Sequence, residues 1–221
     1  MGNVGLREDV YDRLYTAMLS QAQATPGRLV SAAGAPPAAQ SAMRSLGFAA
    51  SFARVGADWS PGDGATGAVF LDVYAPQNRP MCSRNVGLLY LEAPCGAVEW
   101  GAGRWQVGGH RPTLTDRGAF LRAVEGAAAN ALLAVREYNR AAAGSPLPRV
   151  EVLQFCLISA GPQRHPDASR LDVAAALVRG LAAGAAGAGA AEDLPLVRLA
   201  HDPEGALQRA AEALGGPAAA P

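Results

Sequence analysis

Lysine is absent from this 221-residue chain: all nineteen basic side chains are arginine, and Ile158 is the only isoleucine. That bias is the imprint of GC-rich coding, so the abundance of arginine says little about selection for its bidentate geometry. Aromatic residues reach only 6% and charged residues 17%, although half the chain is hydrophobic. Much of that half is alanine, which packs helices closely and buries little area per residue. Nineteen acids balance nineteen bases. A net charge of zero removes the electrostatic footprint of a dedicated nucleic-acid binder, and no arginine cluster restores it. The composition therefore predicts no nucleic-acid partner, whereas a small anionic ligand needs only one local pocket.

Further absences narrow the field. Cys82, Cys95 and Cys156 lack CxxC spacing and cannot all pair within one chain. No histidines stand at metal-ligand intervals beside them, which predicts free thiols, no metal and an intracellular, cytoplasmic setting. Cys156, inside an apolar run, is expected to be buried and unreactive; Cys82 and Cys95, flanking a loop, are expected to be more exposed. Arg7, Glu8, Asp9, Asp12 and Arg13 interrupt any early apolar run, so no secretory leader is expected. The Ala/Gly stretch 181–191 is too short and too weakly hydrophobic to span a bilayer, and no membrane partner is expected. Neither a Walker loop, nor GxGxxG, nor a GxSxG elbow follows any strand-like run.

What is present is an alternation of strand-like and helix-like segments. Residues 7–22 carry Val10, Tyr11, Leu14, Tyr15 and Met18 at helical spacing. Residues 28–30 read as a short strand, 38–53 as a helix with Met43, Leu46 and Ala50 inward, and 68–74 and 85–91 as strands. The glycine-rich stretch 92–112, with Trp100, Trp105 and His110, reads as a long loop. A helix capped by Thr113 or Thr115 should run to about residue 143, with Phe120, Leu121, Val124, Leu132, Val135 and Tyr138 inward. Residues 150–158 form the most apolar strand, expected to be covered on both faces. After a turn, Asp167 or Ser169 caps another helix; 194–200 is a last strand, and Asp202 opens a last helix. The pattern predicts one α/β domain over residues 1–216 (1–26 a helical extension, 217–221 a disordered tail), built as a three-layer α/β/α sandwich with a mixed, largely parallel sheet.

In such sheets ligands gather where strands end and helices begin. Ser159-Ala160-Gly161-Pro162 follows the most apolar strand, and small side chains there let a ligand approach the backbone. Ser31-Ala32-Ala33-Gly34 follows the first strand in the same way. Every strand-to-helix turn also needs small residues, so both turns admit a purely structural reading.

The order of these pieces resembles the macro domain family of ADP-ribose-binding modules from Gly27 on. Arg28-Leu29-Val30-Ser31-Ala32-Ala33-Gly34 stands where the family has a strand ending in Asn-Ala-Ala-Asn. Cys156-Leu157-Ile158-Ser159-Ala160-Gly161-Pro162 is similar to its Ile-Ser-Thr-Gly loop. Val86 to Pro94 and Leu196 to Ala200 resemble two further family strands. The resemblance implies that Ser159, Ala160, Gly161, Pro162 and Gln163, with Ser31, Ala33 and Gly34, hold the diphosphate and distal ribose of ADP-ribose, free or on a modified protein. Both signature asparagines are replaced here, by Ser31 and Gly34. No cofactor is implied.

Three functions follow as expectations: binding of ADP-ribose or a related nucleotide diphosphate, hydrolysis of ADP-ribosyl or ADP-ribose-phosphate groups, or a degenerate domain used for protein contacts. For hydrolysis, His165 is a candidate general base and Asp72 a candidate acid assisting water. Against these stand a solvated loop role for His165 beside Arg164, and alternation of Asp72 to the solvent face of its strand.

Overall fold

The computed structural model describes residues 29–31, 48–54, 69–74, 87–91, 93–96, 113–144, 149–186, 193–200, 202 and 204–215. Four strands, β1 (Leu29–Ser31), β2 (Phe48–Arg54), β3 (Val69–Tyr74) and β4 (Gly87–Leu91), form a sheet in that order, every neighbouring pair antiparallel. Helix α1 (Arg117–Ala142) leads to β5 (Val152–Cys156), then α2 (Arg170–Ala186), β6 (Leu196–Ala200) and α3 (Ala206–Ala213). β5 and β6 pair in parallel, with α2 as the crossover. Helix and strand are therefore mixed as an α/β reading expects, but the larger sheet is an antiparallel meander. The expected helix 38–53 is corrected over its second half, where β2 begins at Phe48. Phe48 and Phe52 lie four apart, a spacing shared by one helix face and one strand face, and the alanines between them left the period ambiguous.

The core is organised by α1. Asp116, not Thr113 or Thr115, caps it: its Oδ1 accepts the Ala119 N–H at 2.6 Å. Phe120, Val124, Leu132, Val135 and Tyr138 are buried as their spacing predicts, while Leu121 is only partly covered. Ala127, Ala128, Ala131 and Ala134 widen the buried stripe and let the helix touch both α2 and β2–β4. By length and composition residues Arg117–Arg140 could cross a membrane, yet more than half of that stretch is buried within the protein. Burial pushes the Tyr138 phenol up to about 12.

Between α1 and α2 the approach is closest at two glycines. A Cβ on Gly180 would sit 2.0 Å from the Glu125 carbonyl oxygen, and one on Gly184 would lie 3.0 Å from that of Ala129. The contacts advance together along both helices, so α1 and α2 run in the same direction. Ion pairs flank the seam, Arg117 with Asp172 at 3.0 Å and Arg179 with Glu125 at 3.1 Å. Both pairs are exposed enough that each contributes little.

Ser169, one of the two residues expected to cap α2, does so in a reciprocal box. Asp172 Oδ2 accepts the Ser169 N–H and O–H, both at 2.8 Å, and Ser169 Oγ accepts the Asp172 N–H at 3.1 Å. The Ser169 backbone N–H holds the Asp172 carboxyl below the usual carboxylate range, aided by the Ser169 hydroxyl and Arg117 and partly opposed by burial. A carboxylate with a lowered folded pKa stabilises the fold above its unfolded value, near 4, and loses that contribution as pH falls through the folded one. Melting curves should therefore show Asp172→Asn less stable than the parent near neutrality, with the gap closing under acid. An equal gap at every pH contradicts this.

The expected double coverage of residues 150–158 is corrected. Leu153 and Phe155 are buried, whereas Val152, Gln154 and Cys156 are exposed, so β5 alternates and has one open face. The two described cysteines exchange their expected places with it: Cys156 is exposed on that face, and Cys95 is buried. Cys82 lies outside the described residues, as do the predicted helix 7–22, the loop residues 97–112 and the tail 216–221.

Candidate functional site

The turn after β5 is where the sequence places a site, and it is tied down on both sides. Ser159 takes the left-handed backbone region at φ 56°, which L-residues other than glycine, asparagine and aspartate rarely adopt. Its hydroxyl donates to the Pro94 carbonyl at 2.7 Å, and the side chain is buried. Gly96 N–H donates to the Gln163 carbonyl at 2.8 Å, and Leu114 N–H to that of Cys95 at 2.8 Å. A Cβ at Gly96 would fall 2.6 Å from that of His165, so the segment 93–96 lies flush on the loop.

His165 locks the segment that leads into α1. Its Nδ1 accepts the Asp167 N–H at 3.1 Å, which places the ring proton on Nε2, 2.9 Å from the Thr115 carbonyl oxygen. The residue is 4% exposed, beside Phe120 with ring centroids 6.0 Å apart. Both ring nitrogens are engaged, which leaves none to take a proton from water. The candidate base is a structural staple. Ser159→Ala should cost about 1–3 kcal/mol by leaving the buried Pro94 carbonyl without a donor, measured by denaturant unfolding. A loss within error shows that the bond adds nothing.

A cavity of about 180 Å³ opens at the C-terminal ends of β5 and β6, where open α/β sheets place ligands. Leu157, Ala160 and Gly161 line it together with Arg170, Asp202, Glu204 and Ala206. Arg170 is ion-paired with Glu204. Asp202, as expected, opens α3, but from a distance: Gly205 is the cap residue, at φ 64°, and the Asp202 carboxylate accepts the N–H groups of Ala206 at 2.7 Å, Leu207 at 2.6 Å and Gln208 at 3.3 Å. The lining thus sets two carboxylates against one guanidinium, and the start of α3 already holds an anion of its own. Among the expected ligand residues, Ala160 and Gly161 line the cavity, Pro162 is exposed, and Gln163 is partly covered with its carbonyl bound to Gly96. Ser31 ends β1, while Ala33 and Gly34 lie outside the described residues. Asp72 sits mid-strand in β3, opposite Ser51 and Leu88. No group of three or more potential metal ligands occurs among the described residues.

Sequence reasoning missed Asn139. This side chain is 1% exposed near the end of α1; its Oδ1 accepts the Val150 N–H at 2.7 Å. Its Nδ2 donates to the carbonyls of Val150 at 2.9 Å and Asp193 at 3.1 Å. The amide stands in for a strand where β5 and β6 begin. The available signal was an amide beside the inward Tyr138, on a face otherwise apolar.

Most arginines on the described surface are committed to carboxylates. Arg117, Arg122, Arg140, Arg149, Arg170 and Arg179 all have an acid within 3.9 Å. Arg209 donates to the Glu204 carbonyl. Arg198, exposed on β6, is the exception: among the described residues nothing pairs with it.

No family model matches the chain. Over 124 residues, 55% of its length, it is 27% identical to the DNA/RNA-binding protein ALBA4 of Plasmodium falciparum (isolate 3D7). It is 28% identical over the same length to the DNA/RNA-binding protein ALBA4 of Plasmodium yoelii yoelii. The matched region is 29% of each relative, so the chain spans less than a third of the proteins it is similar to. These similarities overturn the expected ADP-ribose function, with its hydrolase and degenerate variants, and the expected absence of a nucleic-acid partner. The physical error lay in the charge argument. A net charge sums arginines neutralised by neighbouring acids with any that are free, and so says nothing about a local contact surface.

Proposed function

We propose that this chain is a nucleic-acid-binding module. The similarity to two DNA/RNA-binding proteins carries the reading. The chain is neutral, and among the described residues most exposed arginines are paired with acids, which implies few phosphate contacts from that part, modest affinity and a shallow salt dependence. Fluorescence anisotropy with labelled 20-mer strands and duplexes at low salt tests it. Saturable binding with a Kd of about 1–100 μM, the range of non-specific complexes, is the expected result. No anisotropy change at several hundred micromolar protein, for RNA and DNA alike, defeats the proposal.

The three-layer α/β/α arrangement stands as a fold proposal beside it. Its support is the order β5–α2–β6–α3. A largely parallel sheet is no part of it, because β1–β4 is antiparallel.

A further inference from the structure

We infer that the open face of the β5–β6 pair is the nucleic-acid contact surface and that it takes single strands. This rests on the nucleic-acid reading above and names the partner and place within it.

Parallel pairs are ordinarily covered on both faces, and here, among the described residues, only one is. The outer face is built in register: Val152 lies beside Leu196, Gln154 beside Arg198, and Cys156 beside Ala200. Val152 is 46% exposed and Leu196 65%, two of the largest apolar side chains left in solvent among the described residues. Next to this apolar spot stands Arg198, the described exposed arginine without a partner, with the Gln154 amide at its side. Neither strand contains an acidic residue. The face therefore offers a free cation, an amide able to donate and accept, and an apolar patch, with nothing in either strand to repel a phosphate.

That combination selects single strands. A duplex presents phosphates and groove edges while its base faces are stacked away, so Val152 and Leu196 would have nothing to cover. One arginine is also too little to hold a duplex by charge alone. An unstacked strand turns base faces outward, where apolar side chains can pack on them, base edges meet Gln154, and a phosphate meets Arg198. Among the described residues no aromatic side chain stands on this face, which makes binding weak and tolerant of sequence.

The test is anisotropy on the full chain with a labelled oligo-dT, an oligo-U and a duplex of equal length. The parent should prefer either single strand to the duplex by at least about fivefold. Arg198→Glu and Leu196→Ser should each weaken single-strand binding about tenfold. Arg198→Ala should flatten the slope of log K against log salt by about 0.7, the loss of one phosphate contact. Arg122→Ala, on the exposed side of α1, should change affinity less than twofold. Cys156 provides a readout without substitution on the binding face: saturating oligo-dT should slow its alkylation, followed by peptide mass mapping, several-fold. Unchanged affinity in Arg198→Glu, or unprotected Cys156 while the parent binds, overturns the assignment of the face and leaves the nucleic-acid reading standing. Duplex bound as tightly as single strand overturns the single-strand preference. A dimer in sedimentation that Leu196→Ser dissociates shows a second copy to be the occupant and overturns the inference. A parent that binds no oligonucleotide brings down the functional reading itself.

Discussion

Replacing Asn139 by leucine should destabilise the protein by about 3–5 kcal/mol, at the upper end of what single substitutions do. The amide is buried and satisfies the Val150 N–H, the Val150 carbonyl and the Asp193 carbonyl. Leucine fills a similar volume but returns none of those bonds, and each buried orphan costs about 1–3 kcal/mol before relaxation. Relaxation is restricted because the three groups sit where β5 and β6 begin, and moving them breaks the register. Asn139→Asp separates the contributions, since it keeps an acceptor for Val150 N–H while losing both donors. Guanidinium unfolding should place both variants below the parent, the aspartate by the two lost donor bonds and the leucine by all three bonds. A leucine variant within 1 kcal/mol of the parent would show, against the scale of a buried orphan, that the amide has no such role.

The second large effect has a sign opposite to helix propensity. Gly180→Ala should favour an isolated helix by about 1 kcal/mol. In the protein the added Cβ would lie 2.0 Å from the Glu125 carbonyl oxygen and 2.9 Å from the Ala128 Cβ. The oxygen belongs to the backbone of α1, so relief requires the helices to separate along their seam. Overpacking of this kind costs about 1–3 kcal/mol or more, and the net loss should be near 2 kcal/mol. Gly184→Ala is the control: its Cβ would meet Ala129 O at 3.0 Å and the Leu132 Cβ at 3.3 Å, a far milder crowding. Thermal melts should place Gly180→Ala well below Gly184→Ala. The reverse order would mean that the seam yields freely at Gly180.

What could be read in advance divides along physical lines. The inward side chains of α1, from Phe120 to Tyr138, follow from a helical period sustained over several turns, and solvent exposure averages cleanly at that length. β2 was missed because two phenylalanines four apart satisfy both periods. β5 was placed but its coverage was not, since Val152 and Cys156 are apolar by type and exposed by position. Residue type records what a side chain tolerates; the neighbouring layer decides what it meets. The turn Ser159-Ala160-Gly161 was located and its role was not. Small residues allow a ligand to approach, and they equally allow a neighbouring chain segment to do so. Here Pro94 and Gly96 take up the bonds of Ser159 and Gln163, while Ala160 and Gly161 face an open cavity. The arginine that matters for the proposed surface, Arg198, was invisible to a charge count, because solitude is a property of three dimensions.

The closure of the strand-end loops also sets an order of events during folding. The bond from Ser159 to Pro94 spans 65 residues, and the contact of His165 with Thr115 spans 50. Contacts of such separation form only after the intervening chain has given up its freedom, so they come late. The α1–α2 seam spans as much chain, 54 residues from Glu125 to Arg179, but it buries a row of apolar side chains that repays this cost, so it can form before single hydrogen bonds do. Ser159→Ala should accordingly accelerate unfolding and leave the refolding rate nearly untouched, a φ-value close to zero. The loop that closes over the C-terminal ends of β4 and β5 is then the last to settle and the first to let go.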